Sequence, residues 1–303
     1  MSLARAISYY RRVKAWVQGS DAHERTLELL GAFLAQQVAS KQHVSSLHDV
    51  EFRVYSQWGD DGIIQWIISR LPSAPKRFVE FGVEDYSESN TRFLMINNNW
   101  TGLVMDGSPE NINRLHRKKW FWRHGLTALP HFVTRENVDS LIADWAANQE
   151  IGLLHIDVDG NDYWLWEAII CTSPSICIME YNALFGSERA ITIPYKADFR
   201  RFDAHYSGQY FGASLAALTM LARAKGYALV GTNSAGNNAY YVRGDLLTDV
   251  LHEIELKDAF TTPTFRESRD RRHRLDYLSY DRRQASIRGL PVLNVMSGDI
   301  EPF

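Results

Sequence analysis

Cysteine is scarce in this chain of 303 residues: Cys171 and Cys177 are the only two. Both sit in apolar stretches. That excludes a disulfide scaffold and reads as a pair of reduced packing residues in a cytoplasmic protein. Long apolar runs are missing as well, and no stretch approaches the roughly 20 residues that a membrane-spanning helix needs. The opening "MSLARAISYYRRVKAW" lacks the uninterrupted apolar core of a secretory leader. Charge of one sign is not in excess either. A net charge of −3 argues against a general nucleic-acid binder, which would be basic. Internal repeats and low-complexity segments are absent. What is present is ordinary globular usage, 45% apolar and 23% charged. Aromatic residues make up 12%, with nine Trp, enough for a stacked ligand pocket on top of an aromatic core.

The chain divides by pattern. Residues 1–50 read as a separate helical extension, because Leu27, Leu30, Leu34 and Val38 recur at helical spacing. Such a helix serves packing or a homo-oligomer. Residues 51–250 alternate strands and helices. "GDDGIIQWIISRLP" is a helix from about Asp60 to the stop at Pro72, and "RFVEFG" is a buried strand. "SESNTRFLMINNN" is a helix with Ser87 or Ser89 as N-cap, and "TGLVMDG" is a strand. "SPENINRLHRKK" is a helix with Ser108 at the N-cap and Pro109 at its first position. "HFVT" is the expected third strand, "IGLLHIDVDG" the fourth and "SICIMEYN" the fifth, with helices "NVDSLIADWAANQ" and "YWLWEAII" between them. After an irregular stretch to about Gly212 comes a helix to Lys225. "YALVGTNSAGNNAYYVR" then reads as two strands around a Gly/Asn turn. The alternation predicts an α/β fold: a Rossmann-like, doubly wound, mostly parallel seven-stranded sheet with an antiparallel C-terminal hairpin. Residues 251–303 read as a helical and irregular extension packed on that domain. Its Arg-rich part, 263–288, also carries Glu267, Asp270, Asp276 and Asp281, the pattern of a salt-bridged helical face.

In an open parallel sheet, ligands bind at the carboxyl ends of the strands. The first strand ends Glu80-Phe81-Gly82 and the second Met105-Asp106-Gly107. A carboxylate at the second end suits a ribose diol, since it accepts two hydrogen bonds. A single glycine after the first lets a ligand approach the backbone. "FGVEDY" lacks the other glycines of a dinucleotide fingerprint, and Glu80 and Glu84 would repel a phosphate. Acid beside the glycine suits an amine or a sulfonium, and S-adenosylmethionine carries both as well as a ribose. Its carboxylate fits the helix start around Ser89–Thr91, and Trp58, Phe81 and Tyr86 are candidates to face its sulfur.

"FVEFGVEDYSESNTRFL", "WTGLVMDGSPENINRL" and "LLHIDVDGND" resemble the successive motifs of class I S-adenosylmethionine-dependent methyltransferases, and most closely those of the FkbM-like branch. "KGYALVGTNSAGNNAYYVR" resembles the closing hairpin of that family, and "SQWGDDGII" an element found ahead of the first strand in related bacterial proteins. The resemblance covers roughly residues 55–245, so 51–250 would be a methyltransferase domain. Where the branch reads Lys-Ile-Asp-Val-Glu-Gly, this chain reads His155-Ile156-Asp157-Val158-Asp159-Gly160, keeping the acids in type but not the lysine. The resemblance implies that Glu80 and Gly82 lie beside the methionine portion of the cofactor and that Asp106 binds its ribose. It places Gly107, Ser108, Thr134 and Asn137 near the adenine, and Gln57 at the amino-acid end.

Methyl transfer to an alcohol needs a base, a metal, or both, because a hydroxyl is a poor nucleophile at neutral pH. Asp157 ends the fourth strand, and Glu180, Tyr181 and Asn182 end the fifth. Asp157, Glu180 and Asn182 together offer three oxygen donors suited to Mg²⁺ or another divalent cation. Metal-dependent methyltransferases of catechol type resemble this placement. Asp159 or His155 would then take the proton, so Asp157, Asp159 and His155 are the catalytic candidates. Asp162 reads as the cap of the following helix. The loop 183–212 carries Arg189, Tyr195, Lys196, Arg200, Arg201, His205, Tyr206 and Tyr210, a set suited to an anionic or sugar-like acceptor. The expected activity is O-methylation of a saccharide or glycan-related small molecule. A catalytically silent cofactor-binding module and a nicotinamide-dependent oxidoreductase are the alternatives.

Overall fold

The computed structural model describes residues 3–303, with side chains from residue 22 onward. The elements run α1 (Leu3–Ser40), α2 (Asp60–Arg70), β1 (Arg77–Phe81), α3 (Arg92–Asn98), β2 (Thr101–Met105), α4 (Pro109–His116), β3 (Leu126–Leu129), α5 (Val138–Ala146), β4 (Leu153–Ile156), α6 (Asp162–Ala168), β5 (Ile176–Glu180), β6 (Ile191–Thr192), α7 (Arg201–Ala204), α8 (Leu215–Ala224), β7 (Tyr227–Thr232), β8 (Asn238–Arg243), α9 (Leu256–Ala259), α10 (Tyr280–Ser286), β9 (Pro291–Asn294) and β10 (Ile300–Pro302). Seven strands form one sheet in the order β3-β2-β1-β4-β5-β8-β7. The hairpin inserts β8 antiparallel between β5 and β7, and the other neighbouring pairs are parallel. This is the Rossmann-like, doubly wound architecture that the strand and helix alternation predicts.

Successive residues of a strand point to opposite faces, and both faces here are apolar. Phe78, Val104, Leu153, Ile178 and Tyr240 pack with α2, α3 and α4 on one side. Val79, Met105, Ile156, Met179 and Tyr241 pack with α5, α6 and α8 on the other. On the α2 side the apolar run stops one residue pair short of the carboxyl rim. Glu80 lies opposite His155 there, and Glu180 opposite Asn238. A hydrophobic sheet therefore ends in a polar row on one face.

Several local expectations are corrected. The third strand is "LTAL", paired with Gly102–Met105 of β2, and "HFVT" is loop beyond Pro130. Its β-branched residues favour a strand, but proline ends the ladder, and the pairing goes to the segment that can bury Leu126 and Ala128. Helix α3 starts at Arg92 after Thr91; neither Ser87 nor Ser89 caps it. Ser108 does cap α4, accepting from the Asn111 N–H at 3.3 Å with Pro109 at the first position. Cys177 is buried, whereas Cys171 is exposed, so only one of the two thiols packs in the core. Leu27, Leu34 and Val38 of α1 face the domain, while Leu30 is exposed. Residues 263–279 are largely irregular, and only Tyr280–Ser286 of the Arg-rich stretch is helical. A second, three-stranded sheet, β10-β9-β6, ties the end of the chain to the loop after β5.

The end of β1 meets the end of β4 at Gly82. Its φ is +76°, and a Cβ there would lie 1.6 Å from the Asp157 carbonyl oxygen. The close approach is thus made by the chain itself. Gly82→Ala combines left-handed strain with a backbone clash, so it should cost on the order of 3 kcal/mol or more. A urea titration followed by circular dichroism checks this, and an unchanged midpoint would show that the two strand ends are not held together.

Candidate active site

The carboxyl rim is organised by Glu80. This side chain is 2% exposed, so its charge must be satisfied from within. It accepts from Ser89 Oγ at 2.6 Å, from the Asn90 N–H at 2.9 Å and from the Thr91 N–H and hydroxyl. His155 Nδ1 lies 2.9 Å from its other side. Nδ1 donates there, and Nε2 lies 3.2 Å from the side-chain amide nitrogen of Asn90. Burial alone would raise the Glu80 pKa, but the His155 hydrogen bond and charge, with Ser89 and Thr91, hold it below the usual range. Burial opposes charging of His155, and the Glu80 carboxylate overrides it, raising the imidazole pKa. The helix-start donors assigned to a cofactor carboxylate are therefore taken by Glu80. Both nitrogens of His155 are engaged within this network. Phe81 and Tyr86 are fully buried core rings, whereas Trp58 is half-buried and stacks on Phe265.

Beside this network stands a cluster of three acids. One carboxylate oxygen each from Asp157, Asp162 and Glu180 lies within 4.8 Å of the others. Asp157 follows β4, Glu180 ends β5, and Asp162 opens α6. Asp162 does not cap α6 from outside. It is the first helical residue, and its oxygens accept from the Val158 N–H at 2.8 Å and the Gly160 N–H at 3.0 Å, folding the turn back. Burial pushes Asp157 up to about 7, helped by the charges of Asp159 and Asp162 and opposed by His155. Burial likewise pushes Asp162 up to about 6 against its backbone donors. Glu180 is raised well above the carboxylate range by burial and then by the charges of Asp157, Asp159 and Asp162, with Arg201 opposing. Its Oε2 is buried with no hydrogen-bond partner among the described residues.

Asn182, expected as the third oxygen donor, is turned to another task. Its amide nitrogen donates to the Gln209 and Phe211 carbonyls at 3.0 Å each, and its oxygen accepts from the Leu184 N–H at 3.0 Å. Asp162 stands in the place assigned to it. Asp159, exposed and at φ +56°, pairs with Arg201 at 2.6 Å. Arg201 also holds Glu267 and the Gly208 carbonyl and lies over the Phe211 ring at 3.9 Å. The loop 183–212 and the segment 261–279 are thereby clamped over the acids by one guanidinium. Sequence spacing held a signal for Asp162, the last acid of "DVDGND", but none for Arg201.

The expected cofactor side lies along β1, β2 and β3. Asp106 follows β2, and its carboxylate accepts from the Glu84 N–H at 2.9 Å, the Ser108 N–H at 2.8 Å and the Asn111 amide at 2.9 Å. Gly107 sits against Phe132, whose ring a Cβ would meet at 2.9 Å. Thr134 and Asn137 form one turn, with the Thr134 N–H donating to Asn137 Oδ1 at 2.7 Å. Gln57 is exposed in the loop before α2, and its carbonyl accepts from Arg53 at 3.0 Å. That loop is held by Asp61, whose Oδ2 accepts from the N–H groups of Val54, Tyr55 and Ser56. Asp60, one residue earlier, accepts from Asn233, Asn238 and Tyr240 and fastens α2 to the hairpin.

No family model matches the chain, and neither does any curated protein. Among solved structures it is similar to the N-terminal domain of EvdMO1 with SAH bound, at TM-score 0.41 and 12% identity, over 70% of this chain and 93% of that one. The same domain in the presence of SAH and D-fucose gives TM-score 0.40 and 11% identity, with the same coverage. At these values neither likeness assigns a ligand or a residue role to this chain.

The acids set the sign of the pH dependence. Asp157 and Asp162 hold protons in the folded state up to about 7 and 6, above their ordinary value of 3.8. Unfolding releases those protons, so this contribution to stability is full below about pH 4 and is lost as pH rises through 6 to 7. His155, also raised, acts in the same direction. Glu80, lowered, is constant above pH 5. Melting in the presence of a chelator should show a midpoint that falls from pH 5 to pH 8, with a shallower fall in Asp157→Asn. A rising midpoint would mean that the acids do not interact as described.

Proposed function

We propose that the chain is an S-adenosylmethionine-dependent O-methyltransferase acting on a hydroxyl of a saccharide or glycan-related small molecule. The observation that carries this reading is the convergence of Asp157, Asp162 and Glu180 at the carboxyl rim of β4 and β5, with Asp157 poised near neutral pH. A base works best when its pKa lies near the working pH, and a hydroxyl needs one to become a nucleophile. His155 and Asp159 are engaged by Glu80 and Arg201, which leaves Asp157 to take the proton of the acceptor hydroxyl as its oxygen accepts the methyl group. The sheet order with one reversed strand beside the edge, and an acid directly after β2, agree with the cofactor that the sequence motifs imply. The cofactor supplies a methyl group on a cationic sulfur, and the acidic rim lowers the energy of positive charge beside it.

The donor set also fits a divalent cation. All three groups are carboxylates, the hard oxygen ligands that suit Mg²⁺ or Ca²⁺, and Glu180 Oε2 lacks any donor among the described residues. A cation there would lower the pKa of an acceptor hydroxyl and offset the repulsion among the acids. Asp157, Glu180 and Asp162 would hold it. The Asn182 oxygen already accepts from the Leu184 N–H, which leaves it a single lone pair to offer.

Calorimetric titration with S-adenosylhomocysteine is the first test, and absence of binding at about millimolar ligand would remove the cofactor assignment. Asp157→Asn should lower turnover by about 10² or more while leaving affinity for S-adenosylhomocysteine nearly unchanged. Loss of that affinity instead would assign Asp157 to cofactor binding. Chelator-treated enzyme should lose activity and recover it with Mg²⁺; full activity after chelation would sink the metal alone.

A further inference from the structure

The arginines of the loop after β5 are the obvious candidates to read an anionic ligand, and two of them are already engaged. Arg189 pairs with Glu301 at 2.7 Å and donates to the Pro302 carbonyl at 3.1 Å. Arg201 clamps Asp159 and Glu267. Arg283 of α10 is different. It is 2% exposed, yet no carboxylate lies within ion-pair distance of it among the described residues. Its one hydrogen bond there runs from Nη2 to the Pro263 carbonyl at 3.3 Å, and Nε is buried without a partner. Glu267, whose charge reaches Arg283, is taken by Arg201. Buried charges are normally paired, and a planar guanidinium with free donors matches a carboxylate or phosphate in two-point contact.

The surroundings connect this guanidinium to the rim. Its carbon lies 5.8 Å from the centre of the Phe265 ring, which stacks on Trp58 at 5.5 Å and 26°. Trp58 belongs to the loop that leads into Asp60, and Asp60 accepts from Asn238, the register partner of Glu180. On the other side, Glu267 leads through Arg201 to Asp159. One chain of ring contacts thus leads from Arg283 through Phe265 to Trp58, in the loop before Asp60, and the charge of Glu267 links Arg283 to the Arg201 clamp. The covering segment 261–279 contains no helix and a single bridge, between Arg269 and Leu275, so displacing it breaks few backbone hydrogen bonds.

We propose that Arg283 is the anion-binding residue of the rim, receiving a carboxylate or phosphate group of a bound ligand beside the Trp58–Phe265 pair. This rests on the rim being the site of the proposed methyl transfer. The acids then handle the reacting hydroxyl, and Arg283 fixes a negatively charged group at a distance from it. The group belongs either to the acceptor or to the amino-acid end of the methyl donor.

The test is thermal melting of the full chain in sodium phosphate and in sodium acetate, against sodium chloride at matched ionic strength. Phosphate or acetate should raise the midpoint saturably, and which of them does so identifies the group. Arg283→Gln should abolish that rise. Its midpoint without the anion should equal or exceed that of the unsubstituted chain, because an uncompensated buried charge has been removed. Arg283→Lys, which carries the test if the Gln variant does not fold, should bind the anion about tenfold more weakly. Arg266→Gln, on the exposed neighbour, should leave the rise intact. Competition by S-adenosylhomocysteine but not by 5′-methylthioadenosine, which lacks the carboxylate, assigns the group to the methyl donor; competition by neither assigns it to the acceptor. No saturable rise with either anion, or an equal rise in both Arg283 variants, overturns the proposal. These titrations need neither methyl donor nor turnover. An intact anion effect without S-adenosylhomocysteine binding would therefore sink the proposed activity and leave the anion site standing.

Discussion

One buried carboxylate organises the rim. Glu80 sits at the end of a hydrophobic strand, and a charge there survives only with a full set of donors. It draws them from the Ser89–Thr91 turn and from His155, joining β1, β4 and the start of α3 around one point. Removing one partner of such a network leaves an uncompensated charge, which costs about 3–5 kcal/mol in comparable buried pairs. The network also fixes what lies next to it. Asp157 is two residues beyond His155 on the same strand end, and Gly82 two residues beyond Glu80 touches the Asp157 carbonyl. The position of Asp157 is thus inherited from that of Glu80.

The second constraint is electrostatic. Burial raises the proton affinity of Asp157, Asp162 and Glu180, and the neighbouring negative charges, that of Asp159 among them, add to the effect. Three features offset the repulsion: the backbone N–H groups of Val158 and Gly160, the raised His155, and Arg201. Arg201 is the only one of these drawn from the loops over the rim. It couples their closure to the charge state of the cluster, because the same guanidinium holds Asp159 below and Glu267 above. An enclosed acidic site of this kind strengthens each remaining interaction, as water no longer screens it.

Much of the fold was legible in the chain. The α4 start followed from Ser108 and Pro109, the hairpin from its Gly/Asn turn, and the parallel sheet from alternating apolar strands and amphipathic helices. The third strand was not legible. "HFVT" has better strand residues than "LTAL", but pairing against β2 and the stop at Pro130 outweighed propensity. In the site, the acids at the strand ends could be read from the sequence, because an apolar run closing on carboxylates is unusual. Their division of labour could not. Glu80 was assigned to a ligand and is held by the chain's own donors; Asn182 was assigned to a metal and caps the turn before Leu184.

The sequence by itself determined the alternation of strands and helices, the faces that become core, and the gathering of acidic residues at one edge of the sheet. These follow from periodicity and local capping, which act over a few residues. Only the tertiary structure decided which carboxylate is satisfied and which keeps an unpartnered oxygen. Glu80 meets His155 across 75 positions of chain, and Arg201 meets Asp159 across 42 and Glu267 across 66. Hydrogen bonds reach about 3 Å, so partners that distant in sequence exist only once the strands have paired and the loops have closed over them.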